Sequence, residues 1–228
     1  MSGANPASTY LFVGPTAYGL PKHTVRRADL CLLPPASRGD VARLVAGHDG
    51  PPGTIILADG RFGDVLAVGH RELLAAIGGG WQVWGVASMG AIRAAELHPY
   101  GMRGAGAVFR YMRDTMAPDD EVAVLHGPGP RYRPMSEALV DLRGVLEVLT
   151  KQNALTESQA VTIAGRLADL WFGERTLPLL VDLCRQQAGD QAAVAVVALL
   201  PRLARLRAKG QDLTMFLKEE PWLSHPHP

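Results

Sequence analysis

The stretch WGVASMGAIRAAEL, residues 84–97, passes from a strand-like run into a helix-like run, with Ser-Met-Gly between the two. Residues 84–87 are mostly apolar, whereas residues 91–97 carry their apolar side chains at helical spacing. A short buried strand that leads directly into an amphipathic helix is the repeating unit of a parallel α/β sheet. The stretch therefore predicts the fold class and puts Ser88 at a strand-to-helix turn.

The same alternation fills the first part of the chain. Short apolar runs predict five strands, and helical spacing between the runs predicts helices that flank the sheet. We therefore expect an α/β fold with a mainly parallel sheet over residues 1–134. The predicted strands are 9–14, 29–34, 53–59, 81–87 and 121–127, and the predicted helices are 38–48, 70–80, 88–97 and 105–113.

The pattern changes after residue 134. The stretches 135–153, 156–174 and 177–206 are helix-patterned and contain no strand-like run. We predict a helical C-terminal region over residues 135–228, packed on or beside the α/β core and ending in a weakly ordered tail, SHPHP, at 224–228.

Composition limits the classes of protein. The 228 residues are 47% hydrophobic and carry a net charge of +1, which points to no nucleic-acid partner and no anionic membrane. Residues 1–9 lack the features of a signal peptide, and no apolar run is long enough to span a membrane. Cys31 and Cys184 lie in apolar runs, so we expect two reduced core cysteines and a cytoplasmic protein.

Polar side chains follow several of the predicted strands. The carboxyl ends of parallel strands share one edge of the sheet, and ligands bind there. We therefore expect a binding site built from the loops that carry Gly14-Pro15-Thr16, Asp59-Gly60, His70-Arg71, Ser88-Met89-Gly90 and His126-Gly127.

Ser88 has two interpretations at this edge. It is a nucleophile at a strand-to-helix turn, with the Met89 and Gly90 N–H groups stabilising an oxyanion and Gly90 admitting the substrate. Alternatively it is the N-cap of the following helix, which the local sequence favours because caps are far commoner than nucleophiles. The G-x-S-x-G pattern is not matched, since Val86 occupies its first glycine position.

A serine nucleophile needs a base. His70 and His126 are candidates on the same edge, with Asp59 as an orienting carboxylate. Arg71 stays protonated, so its predicted role is to hold a carboxylate or thiocarboxylate. Arg93, one helical turn from Glu96, either supports the site or forms a surface pair.

We predict no metal and no nucleotide cofactor. The carboxylates Asp119, Asp120 and Glu121 are typical of a solvated turn, and no His or Cys spacing accompanies them. The sequence contains neither a phosphate-binding loop motif nor a dinucleotide-binding motif.

Several segments resemble the TfuA family, in the family's order, over most of residues 10–145. The most specific are GVASMGAIRAAEL (85–97) and DDEVAVLHGP (119–128). The others are GPT (14–16), PPASRGDV (34–41), ILADGRF (56–62), GHREL (69–73), YGMRGAGAVF (100–109) and RPMSEALVDLR (133–143).

The resemblance implies a partner of a YcaO-type ATP-dependent enzyme in peptide backbone thioamidation. It implies hydrolysis of a thiocarboxylated, ThiS-like ubiquitin-fold sulfur carrier, which delivers sulfide, and assistance to YcaO in acting on a ribosomal precursor peptide. The family's site has a serine and a lysine. The serine falls on Ser88, which reverses the preference for a cap.

The lysine does not carry over directly, because Arg71 stands where the family commonly has it. The base is then Lys22, His70 or His126, or else hydrolysis is weak and docking dominates. The alternative function is therefore a non-catalytic adaptor that brings carrier, YcaO enzyme and precursor peptide together. A hydrolase for an unrelated small acyl substrate is a third possibility, which the resemblance disfavours.

Overall fold

The computed structural model describes residues 8–63 and 65–224. Within them, five parallel strands form one sheet in the order β2-β1-β3-β4-β5. The strands are β1 (Thr9–Phe12), β2 (Leu30–Leu33), β3 (Thr54–Leu57), β4 (Gln82–Val86) and β5 (Arg103–Ala105). The α/β prediction with a mainly parallel sheet is confirmed.

Helices surround the sheet and then form a region of their own. The first five are α1 (Lys22–Val25), α2 (Asp40–Ala46), α3 (His70–Gly78), α4 (Met89–Leu97) and α5 (Gly106–Thr115). The predicted C-terminal helical region is confirmed. It comprises α6 (Leu139–Lys151), α7 (Glu157–Ala168), α8 (Leu177–Ala188), α9 (Asp190–Leu199), α10 (Leu203–Leu206) and α11 (Ala208–Glu219). The predicted tail lies almost wholly outside the described residues.

Adjacent strand residues point to opposite faces of the sheet and enter two different cores. Ile55 and Leu57 face the side covered by α2, α3, α4 and α5. Leu11, Ile56 and Trp84 face the other side, where Leu213, Phe216, Leu217 and Trp222 cover them. A third core lies among the helices α6 to α10. The last helix therefore belongs to the α/β body, although it follows the helical region in sequence.

One predicted strand is wrong. Residues 121–127 are buried at Glu121, Val122 and Ala123, but they form a 3-10 turn and an irregular segment in place of a strand. Amides at the turn bond back to Asp119 and Asp120, and side chains from other elements contact the Val122 carbonyl. Backbone groups that are hydrogen-bonded in this way need no neighbouring strand. The run resembled a strand in sequence only because it is mostly apolar and begins with buried residues.

The fifth strand is the short run RGA, β5, which pairs with β4 at the edge of the sheet. Gly104 is required there, since a Cβ would lie 2.2 Å from the Phe109 ring. Cys31 is also not a core residue, because it is exposed on the edge strand β2, whereas Cys184 is buried as expected. Among the described residues, no helix has the length and apolar character needed to cross a membrane.

Candidate functional site

The turn between β4 and α4 consists of Ala87 and Ser88. Ala87 is fully buried with φ +68°, a left-handed conformation that an alanine adopts only under tertiary constraint. Ser88 is 3% exposed and makes no side-chain hydrogen bond to the start of α4. Its Oγ instead donates to the Val122 carbonyl at 3.3 Å. Ser88 is therefore not a side-chain cap, and its hydroxyl faces the segment that follows α5.

Lys209, near the start of α11, reaches the same carbonyl. Its side chain is buried, and its Nζ donates to the Val122 oxygen at 2.9 Å. The Ser88 hydroxyl and the Lys209 ammonium group thus share one acceptor. Their separation is therefore no greater than the sum of the two hydrogen-bond lengths, and the Val122 oxygen is the atom that links them.

Buried charges surround Lys209. The Lys209 backbone N–H donates to Asp141 Oδ1 at 3.0 Å, and Arg207 makes two hydrogen bonds to Glu137, at 2.6 and 2.9 Å. Burial raises the pKa of the Asp141 carboxyl, which the positive charge of Lys209 opposes. Two acidic and two basic residues therefore lie together at the starts of α6 and α11, and the backbone of Lys209 is fixed there by Asp141.

Gly90 packs the helix against the sheet. Its N–H donates to the Ala58 carbonyl at 3.2 Å, and an added Cβ would lie 1.7 Å from the Leu57 oxygen. The structure therefore corrects the expectation that Gly90 makes room for a substrate, because its open side is filled by β3. The Met89 N–H has no hydrogen-bond partner among the described residues, and its oxyanion role stays a prediction.

Asp59 joins two loops at the carboxyl edge. Its Oδ2 accepts hydrogen bonds from the Gly14 and Thr16 N–H groups at 2.7 and 3.0 Å, and its Oδ1 accepts from Thr16 Oγ1 at 2.6 Å. The strand order reverses between β1 and β3, which is where ligands bind in such sheets. Asp59 therefore fixes the floor of the predicted binding edge and does not orient a histidine.

A cavity of about 530 Å³ opens above this edge. Ser88, Asp59 and His126 are among its lining residues, together with Pro15, Arg61 and Trp171. The His126 Nδ1–H donates to the Gly127 carbonyl at 2.8 Å, which leaves the Nε2 lone pair available in the neutral ring. The cavity therefore combines a buried hydroxyl with an imidazole that is able to accept a proton.

The sequence model of one family, described as TfuA-like protein, matches residues 59–176, just over half of the chain. The chain belongs to the TfuA-like protein family. No curated protein matches it. The match contains Asp59, Ser88 and His126 of the cavity and stops short of Lys209.

The other predicted site residues of this TfuA-like protein do not line the cavity. His70 Nε2 lies 2.7 Å from Glu96 Oε2, and Arg93 contacts the same carboxylate at 2.6 Å and also the Val68 carbonyl. Glu96 is eight residues after Ser88, about 12 Å along the helix. His70 and Arg93 therefore form a surface cluster on α3 and α4.

The side chains of Arg71 and Lys22 are exposed and have no hydrogen-bond or ion-pair partner among the described residues. Neither lines the Ser88 cavity. The structure therefore does not bring the predicted bases Lys22 and His70, or the predicted carboxylate contact Arg71, to the serine.

The acidic run 119–121 of this TfuA-like protein is used in ion pairs. Asp120 accepts from Arg175, which is fully buried, at 2.6 Å, and Glu121 accepts from Arg143 at 2.8 and 3.2 Å. Both arginines come from the helical region. They anchor the segment that presents the Val122 carbonyl to Ser88 and Lys209.

Sequence reasoning missed Lys209 entirely. The chain has four lysines against nineteen arginines, so a lysine beside small residues in an otherwise arginine-rich stretch, RLRAKGQ, was the available signal. That signal does not indicate which residues Lys209 approaches, because only the return of α11 to the sheet brings Lys209 close to Ser88.

Proposed function

We propose that this chain releases sulfide from a thiocarboxylated, ubiquitin-like sulfur carrier and works beside a YcaO-type enzyme in the thioamidation of a precursor peptide. Family membership supports the setting. The observation that carries the chemistry is the convergence of Ser88 Oγ, which lines the cavity, and Lys209 Nζ, which lies behind it, on the Val122 carbonyl.

In the first step, Ser88 Oγ attacks the acyl carbon of the thiocarboxylate. A C–O bond forms, the C–S bond breaks, and sulfur leaves as hydrosulfide with the proton of the serine hydroxyl. In the second step, water attacks the resulting ester and the carrier leaves as a carboxylate. One hydrogen of the water returns to Ser88, and the other is released as a proton. The net reaction consumes one water for each sulfide released.

Lys209 supports both steps. A buried ammonium group attracts the anionic thiocarboxylate and stabilises negative charge on the tetrahedral intermediate, an effect that strengthens where water is excluded. His126 lines the same cavity as Ser88, and its Nε2 is the atom that accepts a proton from the attacking water.

The first test is sulfide release by the purified chain from a thiocarboxylated carrier protein. We expect Ser88→Ala to lower the rate by at least about a thousandfold, as loss of an essential nucleophile does. Ser158→Ala, on the exposed surface of α7, is the control and should keep the parent rate. Circular dichroism should give the same spectrum for all three proteins. Undiminished release by Ser88→Ala would reject Ser88 as nucleophile.

The adaptor alternative gives a different outcome in a paired assay. Gel filtration with a YcaO-type enzyme encoded nearby measures complex formation, and the sulfide assay is run on the chain alone. A complex with no sulfide release by the parent chain would favour the adaptor over the hydrolase.

A further inference from the structure

A second cavity adjoins the one that contains Ser88. Its volume is about 810 Å³, and Arg61, His126 and Pro128 line both cavities. We call the second one the β2 cavity, because Leu33, Pro34 and Pro35 at the end of β2 form one of its walls. The two cavities therefore lie side by side at the carboxyl edge of the sheet, and we call the two together the groove.

The sheet order gives this groove its length. Ser88 follows β4 and Pro34 follows β2, and the order β2-β1-β3-β4 separates these strands by three spacings. Neighbouring strands are about 4.8 Å apart, so the groove runs about 14 Å across the edge. An extended peptide advances about 3.4 Å per residue, and the groove therefore accommodates about four residues.

The two ends of the groove differ in chemistry. The Ser88 end has the buried hydroxyl with Lys209 behind it, and Arg61 stands at the junction. The β2 cavity is lined mainly by apolar side chains, which include Phe12, Leu44, Tyr132 and the prolines, and apart from Arg61 its charged part is the Asp40–Arg43 ion pair of α2. An anionic acyl terminus suits the first end, and an apolar side chain suits the second.

We propose that the groove binds the extended C-terminal tail of the sulfur carrier and selects an apolar side chain upstream of the reacting carbon. The terminal thiocarboxylate lies at Ser88, and an apolar side chain about four residues upstream lies in the β2 cavity. This inference rests on the proposed function and adds to it a subsite that determines which carrier tail is accepted. The groove thus supplies binding energy away from the reacting carbon, which an enzyme uses to position it.

The test uses synthetic peptide thiocarboxylates with the full chain. The probes are acetyl-Gly-COSH, acetyl-Leu-Gly-Gly-Gly-COSH and acetyl-Asp-Gly-Gly-Gly-COSH. We expect kcat/KM for sulfide release to be about tenfold or more higher for the leucine peptide than for either of the others, since the groove buries only its apolar side chain. Equal values for the three probes would overturn the proposal.

Two variants place the effect in the β2 cavity. Leu44→Glu puts a charge on its apolar wall, and Ser37→Trp fills it with a large side chain. Each should remove the advantage of the leucine peptide and leave the rate on acetyl-Gly-COSH unchanged. If both variants still prefer the leucine peptide, the proposal is overturned. A variant that also loses rate on acetyl-Gly-COSH has a folding defect, and the other variant then decides the test.

Binding separates this inference from the proposed hydrolysis. The carboxylate peptides acetyl-Leu-Gly-Gly-Gly-OH and acetyl-Asp-Gly-Gly-Gly-OH are titrated into the parent chain by calorimetry. If no probe releases sulfide, the hydrolase proposal fails. The groove is still supported in that case if the leucine peptide binds about tenfold more tightly than the aspartate peptide and if Leu44→Glu removes this difference. Equal or absent binding of both carboxylates together with no sulfide release contradicts the groove as well.

Discussion

Each half of this TfuA-like protein contributes one side chain to the candidate site, but only one of the two could be predicted from the sequence. Ser88 comes from the α/β half, at a turn that the sequence pattern predicts. Lys209 comes from the last helix, beyond the residues that the family match covers. Both side chains donate to the Val122 carbonyl. The C-terminal region therefore contributes a side chain to the candidate site and is not merely attached beside it.

The cores explain how this happens. Helices α6 to α10 pack around a core of their own, whereas α11 leaves them and covers one face of the sheet. Arg175 and Arg143 then tie the helical half to the segment after α5. Residue 134 therefore divides the chain by sequence pattern only, because the core of the sheet contains residues from both sides of that position.

The largest effect that tests this comparison is on stability. Phe216 of α11 is 3% exposed, and its ring centroid lies 5.5 Å from that of Trp84 on β4 and 5.1 Å from that of Trp222. We expect Phe216→Ala to lower the free energy of unfolding by about 3–5 kcal/mol, because it opens a cavity against the sheet. Urea denaturation followed by circular dichroism measures this change.

The neighbouring residue provides the control. Met215 is 48% exposed, so Met215→Ala should change the free energy of unfolding by less than about 0.5 kcal/mol. If the two halves unfold together, Phe216→Ala shifts a single transition. A helical transition that stays in place while the sheet melts would show that the halves are separate, against the shared core described above.

The next effect is on activity. Lys209→Met keeps a long side chain but removes the charge beside Ser88, and we expect sulfide release to fall by about a hundredfold. Lys218→Met, on the exposed side of the same helix, is the matched control and should keep the parent rate. A Lys209→Met protein that is folded and fully active would restrict the site to the α/β half.

The smallest effect contrasts one cysteine from each half. Cys31 is exposed on β2, whereas burial raises the pKa of the Cys184 thiol on α8 to about 11. The thiolate is the reactive form, so iodoacetamide at pH 8 should modify Cys31 alone in the folded chain and both cysteines in urea. Mass spectrometry of the intact chain counts the adducts, and two adducts on the folded chain would contradict the burial of Cys184.

The same pKa shift predicts a dependence of stability on pH. The folded chain keeps the Cys184 proton to higher pH than the unfolded chain does. Its contribution to stability is therefore complete below about pH 8.5, where the unfolded thiol titrates, and is lost as the pH rises through about 11. Between about pH 8.5 and about pH 11, the free energy of unfolding should therefore fall less for Cys184→Ala than for the parent chain.

The sequence determined the elements whose pattern is local. Four of the five strands and the helices α2 to α5 follow from short apolar runs and helical spacing, whereas the short helix α1 was not predicted. Strands of this kind pair in parallel. That inference put Asp59 and Ser88 at one edge, where the structure has them. It failed at 121–127, since a buried irregular segment and a buried strand have the same composition.

Tertiary structure alone decided what meets Ser88. Whether its hydroxyl caps α4 or faces Val122 depends on the turn at Ala87, and the position of Lys209 depends on the return of α11 to the sheet. His70 and Arg71, close to the edge in the predicted order, lie outside the cavity because the loop after β3 carries α3 away from it. Apolar spacing records which face of a helix is buried, but it contains no information about the partner that buries it.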